Sequence, residues 1–514
     1  MAFVPQAVAQ QPSAMAKLKT TEVKLPSTAE EKVALGGGGR YLILHFKQLR
    51  RLGVFDLKEN ALAGYVSAAD DRVMFAANAT HLFVCLGGSG TMSRYKLETR
   101  EREVSVPFSQ EVKAIAAGHA SEGPLVVIAG ERDGRCRLYD VKTLKPMTDM
   151  RVSGNRGHGG DGAFEVGTII NVSADGQVIG GTRTGVSPSG VYVARIGQDS
   201  VELRYEHNSM GPIRPDPSGQ KIYAAAAVLN IDLKPIGPVN AGLLIPEITQ
   251  GAFHFKLAPA SRNAVPNLSL HISGNDLALI NVDLTQFGFK QFPSHPVQFQ
   301  NTPWHERLFF HAGLKTLVVI PDDRQRLVVA PLDIKTVLDE SGLDYLFVSS
   351  QPPTKVKSGD KVEYPIQVAS KRGSVKLSLE AGAADMKLSP EGKFTWEVPD
   401  GAKDETVIIL VTDATGQEVY HTFKIAVISP RTPATAAVKP PPDPGIDNGE
   451  PPSDPEDALI RREIQLSIEL ARLYKSTKRD DLAARQLRTL IEQHPDRPEI
   501  AAVKAVLKEW TEGD

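Results

Sequence analysis

The 514-residue chain has very little cysteine: two residues, Cys85 and Cys136, both inside apolar runs, HLFVCLGG and GRCRLYDV. Two cysteines exclude a disulfide framework, and without a C-x-x-C pair or a Cys/His cluster nothing points to zinc. Both are read as small buried hydrophobes. The chain also lacks any run near the ~18–20 apolar residues that a membrane helix needs. Neither sign of charge is in excess, with 59 basic against 61 acidic residues. That balance gives no electrostatic case for nucleic acid or for an anionic membrane surface.

Glycine and proline are plentiful, at 43 and 36 residues. Most of the glycine lies between short apolar runs, a pattern that favours turns joining strands. The densest cluster is ALGGGGRYLILHF, residues 34–46. A phosphate cradle would need a helix after the glycines, because backbone N–H groups at a helix N-terminus hold the anion. Here the run Arg40-Tyr41-Leu42-Ile43-Leu44 reads as a strand. The G-x-G-x-x-G spacing also fails, placing Tyr41 or Leu42 where the last glycine belongs. The glycines are therefore a turn into a strand.

From that strand onward a module recurs. A turn with Gly, Asn or Asp leads to an apolar strand, a charged turn and a further strand that ends near an Asp. Clear copies begin near residues 37, 72, 112 and 166, and another spans residues 305–334. Looser copies start near residues 213 and 268. The period of ~40–45 residues is the blade period of a β-propeller, in which four-stranded sheets bury their faces by stacking in a ring. Residues 33–340 resemble the WD40/YVTN-type propeller superfamily, with about seven blades, though the Gly-His and Trp-Asp signatures of WD40 blades are absent. A mainly β fold is expected.

Around Ser341 the pattern changes. Residues 341–428 show period-2 alternation at Val375, Leu377 and Leu379, and again at Val407, Ile409 and Val411. With Gly359, the stretch MKLSPEGKFTW leading to Trp396, and TDATG at 412–416, this segment resembles an Ig-like, cadherin-like β-sandwich of bacterial multidomain proteins. The acidic calcium motifs of cadherins are missing, so the resemblance implies no calcium. Residues 429–456 are rich in Pro and acid and read as an extended linker. Their Asp443, Asp447 and Asp454 lack the glycine and terminal glutamate of a calcium loop. Residues 457–514 carry helical periodicity at Ile460, Ile464, Ile468 and Ala471. Leu470, Ala471, Tyr474, Ala483, Leu487 and Pro495 resemble a single tetratricopeptide repeat, with Ser467 at its usual tryptophan position. One α-helical hairpin of this kind cannot bury a core alone, so it is expected to dock on a partner or on its own copy.

The N-terminal residues 1–32 read as a disordered tail. Ala7-Val8-Ala9 before Gln10 also resembles a small-residue cleavage site, without the basic and apolar regions of a full signal peptide. A signal stub of this kind would place the protein in the cell envelope or periplasm; without one the expectation is cytoplasmic.

Chemistry is sparse. Gly88-Ser89-Gly90 lacks the full G-x-S-x-G elbow, and WHERLFFH separates His305 from His311 by six residues where a zinc helix needs four. No nucleophile, base and orienting group stand together, and no cofactor is implied. Two polar loops stand out. Residues 153–165 hold Arg156, His158 and Asp161 among glycines, and residues 291–306 hold Trp304 and His305. These five residues are the candidate partner-binding groups. The leading functional expectation is a non-catalytic scaffold that binds an unidentified protein partner through a propeller platform, an Ig-like spacer and a helical docking module. The alternative is a propeller enzyme of the lactonase or quinoprotein type, with a metal or quinone at the mouth of the central channel.

Overall fold

The computed structural model describes residues 15–428, apart from 131–133, 155–161, 184–187, 225–226, 237–241, 250, 259–266, 274, 276 and 290–305, together with eight residues between 484 and 507. The chain divides into two compact units, Met1–Pro430 and Arg431–Asp514.

The first unit opens with seven consecutive antiparallel sheets. Sheet one runs Val33–Gly36, Tyr41–Phe46, Arg51–Asp56 and Ala61–Ser67, each strand paired with the next. Sheet two repeats that order from Val73–Ala77 to Arg102–Pro107. The innermost strands of sheets three to seven are Val112–Ala116, Ile169–Val172, Arg214–Pro215, Leu243–Pro246 and Leu308–His311. Side-chain acceptors fix many of the hairpins. Asp56 and Asp140 accept from the backbone N–H groups of Lys58 and Thr143 at 2.9 and 2.7 Å, and Asn230 accepts from that of Asp232 at 3.0 Å. These are Asx turns, and they explain why the repeat carries Asp or Asn after its third strand.

Neighbouring sheets bury their faces against one another. Ile43 and Val54 of sheet one pack with Phe75 and Val84 of sheet two. Phe83 and Cys85 meet Ile115 and Val127, and Ile128 and Leu138 meet Ile179 and Ala194. Val193 meets Ile222 and Leu229, and Phe255 of sheet six meets Phe310 of sheet seven. Between sheets five and six the Tyr223 ring lies 5.5 Å from that of His254, and its hydroxyl is 2.8 Å from Ser273 Oγ. Leu42, Leu44 and Phe46 pack with Phe309, Val318 and Val329 of sheet seven, which closes the ring. Closure is by side-chain packing rather than by one continuous ladder, and the result is a β-propeller.

The N-terminal segment departs from the expected disordered tail of residues 1–32. Thr21–Lys24 adds antiparallel to Arg326–Pro331 as the outermost strand of sheet seven, and Met15–Ala16 adds parallel to Ala278–Asp283 of sheet six. The start of the chain thus ties the last sheet to the first. Residues 1–14 lie outside the described residues. The sixth sheet begins at Leu243, well before the copy read from residue 268.

A helix, Ile334–Glu340, follows sheet seven and is capped by the Asp333 carboxylate accepting from Lys335 N–H at 3.1 Å. Beyond it lie a sheet built from Lys355–Lys357, Glu418–Ile428, Glu405–Thr412 and Lys376–Ala381, and a second from Lys361–Pro365, Lys393–Glu397 and Lys387–Leu388. They share one core, in which Phe394 and Trp396 meet Val407, Ile409 and Phe423. Trp396 is buried, and its indole N–H donates to Asp385 Oδ2 at 3.0 Å. The seam with the ring combines an apolar contact, Phe347 packing on Phe253 with ring centres 5.2 Å apart, with polar pairs. Gln220 donates to the Lys424 carbonyl at 3.3 Å and accepts from Lys424 N–H at 3.2 Å, Gln177 donates to Thr354 Oγ1 at 2.8 Å, and Arg195 pairs with Asp404 at 3.1 Å. In the second unit the described residues are helical, with Leu487, Ile500 and Val503 buried.

Candidate functional site

A cavity of about 130 Å³ runs along the axis of the ring. Every sheet contributes to its wall from the innermost strand: Val33, Phe75, Ile115, Ile170, Pro215, Pro246 and Phe309. The inner strands supply apolar side chains, while Lys32, His119, Asn171, Arg214, Glu247 and Glu306 make about half of the wall polar.

One end is shut by the glycine turn. Gly37, Gly38 and Gly39 have φ of 63°, 68° and 92°, a left-handed run that residues with a Cβ resist. The turn reaches over the axis. Gly37 N–H donates to the Asn78 carbonyl of sheet two at 2.9 Å, and Gly38 N–H to the His119 carbonyl beyond sheet three at 2.8 Å. On the other side, a Cβ on Gly39 would sit 3.4 Å from Ile248 and 3.6 Å from His311, which belong to sheets six and seven. A turn from one sheet can touch those four only by crossing the channel. The glycines are a turn, as expected, but one that plugs the ring.

The other end, where the inner strands begin, is charged. Lys32 Nζ lies 3.0 Å from Glu306 Oε1, with the lysine half-exposed and the glutamate largely covered. Arg214 heads the inner strand of sheet five and also lines the cavity. Burial pulls its guanidinium down to about 10, against the attraction of Glu306, so it stays charged at neutral pH. Glu306 thus pairs with Lys32 and also acts through its charge on Arg214. Deeper in, burial pushes His119 down to about 4; the Ile248 carbonyl opposes that, and the charges of His311 and Arg214 add to it. Its imidazole is neutral at pH 7. Among the described residues its buried Nδ1 has no hydrogen-bond partner. Glu247 also lines the cavity but is structural. Its carboxylate accepts from Gly251 N–H at 3.2 Å and from Ala312 N–H of sheet seven at 3.0 Å.

A second, smaller cavity of about 20 Å³ lies in the seam, lined by Asp175, Arg195, Gln220 and Thr354 among others. It has room for one water. Among the described residues there is no group of three or more His, Cys, Asp or Glu side chains able to hold a metal ion, and no helix is long and apolar enough to cross a membrane.

The five residues singled out from sequence, Arg156, His158, Asp161, Trp304 and His305, lie outside the described residues. The attachment points of their loops are described. Arg151–Gly154 precedes the first loop and the inner strand Leu308–His311 follows the second. Both positions are at the charged end of the ring, because the loops lead into inner strands at their start. His119 and Arg214 escaped the sequence reading. The signal for Arg214 is a charge at the head of an inner strand where the other copies carry Val33, Val73, Val112, Ile169, Leu243 and Leu308. His119 sits in a hairpin turn and gives no comparable signal.

No protein-family model matches the sequence, and no curated protein matches it. Among solved structures, the chain is similar to the Cps50 (Swd1) β-propeller domain of Myceliophteria thermophila, at 10% identity and a TM-score of 0.38, covering 61% of this chain and 98% of that one. It is similar to hydrazine synthase of Kuenenia stuttgartiensis at 11% identity and a TM-score of 0.39, covering 60% and 97%. A chain of the mitotic checkpoint complex gives 13% identity and a TM-score of 0.39, covering 65% and 100%. Likenesses this weak carry no argument about activity or partner, and the fold reading rests on strand order and packing.

Proposed function

We propose that this protein is a binding platform. The propeller is the recognition surface, residues 341–428 are an Ig-like spacer, residues 429–456 a flexible linker, and residues 457–514 a tetratricopeptide-like helical module that docks on a partner or on its own copy. One observation carries the reading. The second pair of sheets is fastened to the hairpin turns at the plugged end of the ring, through Gln177 and Gln220, which leaves the charged end as the ring's other face. That face holds Leu49, 41% exposed in the turn between the second and third strands of sheet one, and Tyr65, 37% exposed with Arg51 5.7 Å from its ring. Tyr and Arg are enriched among residues that dominate interface energetics. Loops 153–165 and 291–306 attach at the same end, which supports Arg156, His158, Asp161, Trp304 and His305 as further contact groups.

The test is site-specific photocrosslinking in native lysate with a probe at Leu49, at Tyr65 or at Tyr420, the last being 61% exposed on the second pair of sheets. One protein captured from Leu49 and Tyr65 but not from Tyr420 is the expected result. Capture of the same proteins from all three sites refutes the assigned face. Turnover of a lactone or alcohol by the purified protein, with a stoichiometric metal, replaces the platform reading with the enzyme one.

A further inference from the structure

We propose that the chain pairs with a second copy of itself, edge to edge, along the strand Lys376–Ala381. That strand ends its sheet beyond Glu405–Thr412, and its outer backbone groups make no hydrogen bond to any of the described residues. An unpaired edge of this kind is a template for another strand. The inference is independent of the platform reading.

The side chains say which strand fits. Lys376, Ser378 and Glu380 are exposed and alternate with Leu377 and Leu379, which are partly buried against the core of Phe394 and Trp396. Neither Lys376 nor Glu380 forms an ion pair with a described residue, whereas Glu363 of the facing sheet is held by Lys361 at 3.2 Å and Lys393 at 2.6 Å. A second copy placed antiparallel about Ser378 sets Lys376 of each chain opposite Glu380 of the other. It also sets Leu377 opposite Leu379, and one Ser378 hydroxyl opposite the other. Both faces then match, with opposite charges and paired hydroxyls outside and leucines covering one another on the core side. The operation is a two-fold rotation, so the same contact is made twice and the assembly closes at two.

A charged edge deters pairing in general. An edge with both signs at mirrored positions deters every strand except one that carries the same pattern. The other edges of these two sheets lack it. Lys355–Lys357 turned on itself would set Lys355 against Lys357, and Lys361–Pro365 would set Glu363 against Glu363 and ends in a proline. Lys387–Leu388 is only two residues long. A bulge between Leu379 and Ala381 ends the regular part of the pairing strand. It confines the contact to Lys376–Glu380 and keeps it in the small, reversible class.

Sedimentation velocity on the full chain, at concentrations up to about 0.2 mM, tests this with two charge reversals. The unaltered protein should show a monomer–dimer equilibrium. Lys376→Glu and Glu380→Lys, each alone, make both charge contacts repulsive and should weaken the dimer about tenfold or more. The double variant restores opposite signs and should dimerise as the unaltered chain does. An equimolar mixture of the two single variants should do the same, because one then presents two lysines to the other's two glutamates. Recovery on mixing is a result that misfolding or a distant effect cannot give. A monomer at every concentration, a dimer that neither reversal weakens, or no recovery in the mixture overturns the proposal. The second of these outcomes would place self-association elsewhere, as in the helical module of residues 457–514.

Discussion

Acid should destabilise the ring through His254, by an amount the structure allows one to work out. His254 lies in the second strand of sheet six, 6% exposed, stacked on His271 with ring centres 5.4 Å apart. Burial, with the charges of His271, Lys221 and Lys256 added, pushes it down to about 3 from its ordinary 6.5. A histidine with a depressed folded pKa stays neutral in the native protein while the unfolded chain takes up a proton. The unfolded state therefore gains stability as pH falls below 6.5, and the effect levels off only near pH 3. At 1.36 kcal/mol per pH unit, this one residue costs the fold about 2 kcal/mol between pH 6.5 and pH 5.

Other groups titrate over the same range, so a variant is needed to isolate the term. His254→Phe keeps the ring shape and removes the proton site, and its Nδ1 has no partner among the described residues to be lost. Any change in packing shifts stability by the same amount at every pH. Urea denaturation followed by circular dichroism from pH 7 to pH 5 should give a wild-type slope steeper than the variant's by one proton, about 1.4 kcal/mol per pH unit below pH 6. Parallel curves would show that His254 binds protons equally well folded and unfolded, and would refute the burial argument.

Trp396→Ala should cost about 3–5 kcal/mol, since the indole is wholly buried among Phe394, Val407 and Phe423; an unchanged urea midpoint for the 341–428 transition would remove it from that core. Gly118→Ala should reach the upper end of the about 1–3 kcal/mol seen for overpacking, because the new Cβ would lie 2.4 Å from Gly176 N and 2.6 Å from the Ser173 carbonyl, backbone atoms that have little room to move. Gly38→Asn is the matched control: it meets nothing within 4 Å and Asn tolerates left-handed backbone, so the smaller loss should be its own, and the reverse order in thermal melts would contradict the turn geometry. Limited proteolysis should cut first within 429–456, leaving a fragment that ends near the division at Pro430, whereas early cuts within 33–340 would contradict the domain map.

What the sequence revealed and what it hid have physical causes. Sheets one, two and four show in the repeat because their strands are long and their Asp, Asn and Gly turns are strong local signals. Sheet five is faint because its strands, Arg214–Pro215, Ile222–Tyr223 and Val228–Leu229, are two residues each, too short for an alternating pattern to register. Sheet six hides its start because Phe253–Leu257 buries His254 among its apolar residues, so a polar letter stands at a core position. Thr21–Lys24 reads as solvated coil, with a single apolar residue, Val23; it is a strand only because Arg326–Pro331 offers it an edge. Edge pairing of that kind is a tertiary event that no local pattern encodes. The candidate site is hidden for the same reason, since Lys32, His119, Arg214 and Glu306 come from four separate sheets or their turns and meet only when the ring closes.

The glycine run shows how far a local reading goes and where topology takes over. That a turn follows residue 36 is evident from the strand after it. That it must contain several glycines is not, because an ordinary hairpin of this length needs one or two. Three consecutive left-handed residues with side chains would cost about 1–2 kcal/mol each. A Cβ at Gly37 would also press into the Tyr41 ring at 2.5 Å. The sequence bears this low-propensity segment because the turn leaves its own sheet and crosses the axis to meet Asn78, His119, Ile248 and His311. An open channel would admit solvent from both ends, and a buried guanidinium and a neutral imidazole in it would be hydrated. Shutting one end gives Arg214 and His119 their low-dielectric surroundings, and burial there lowers the pKa of both.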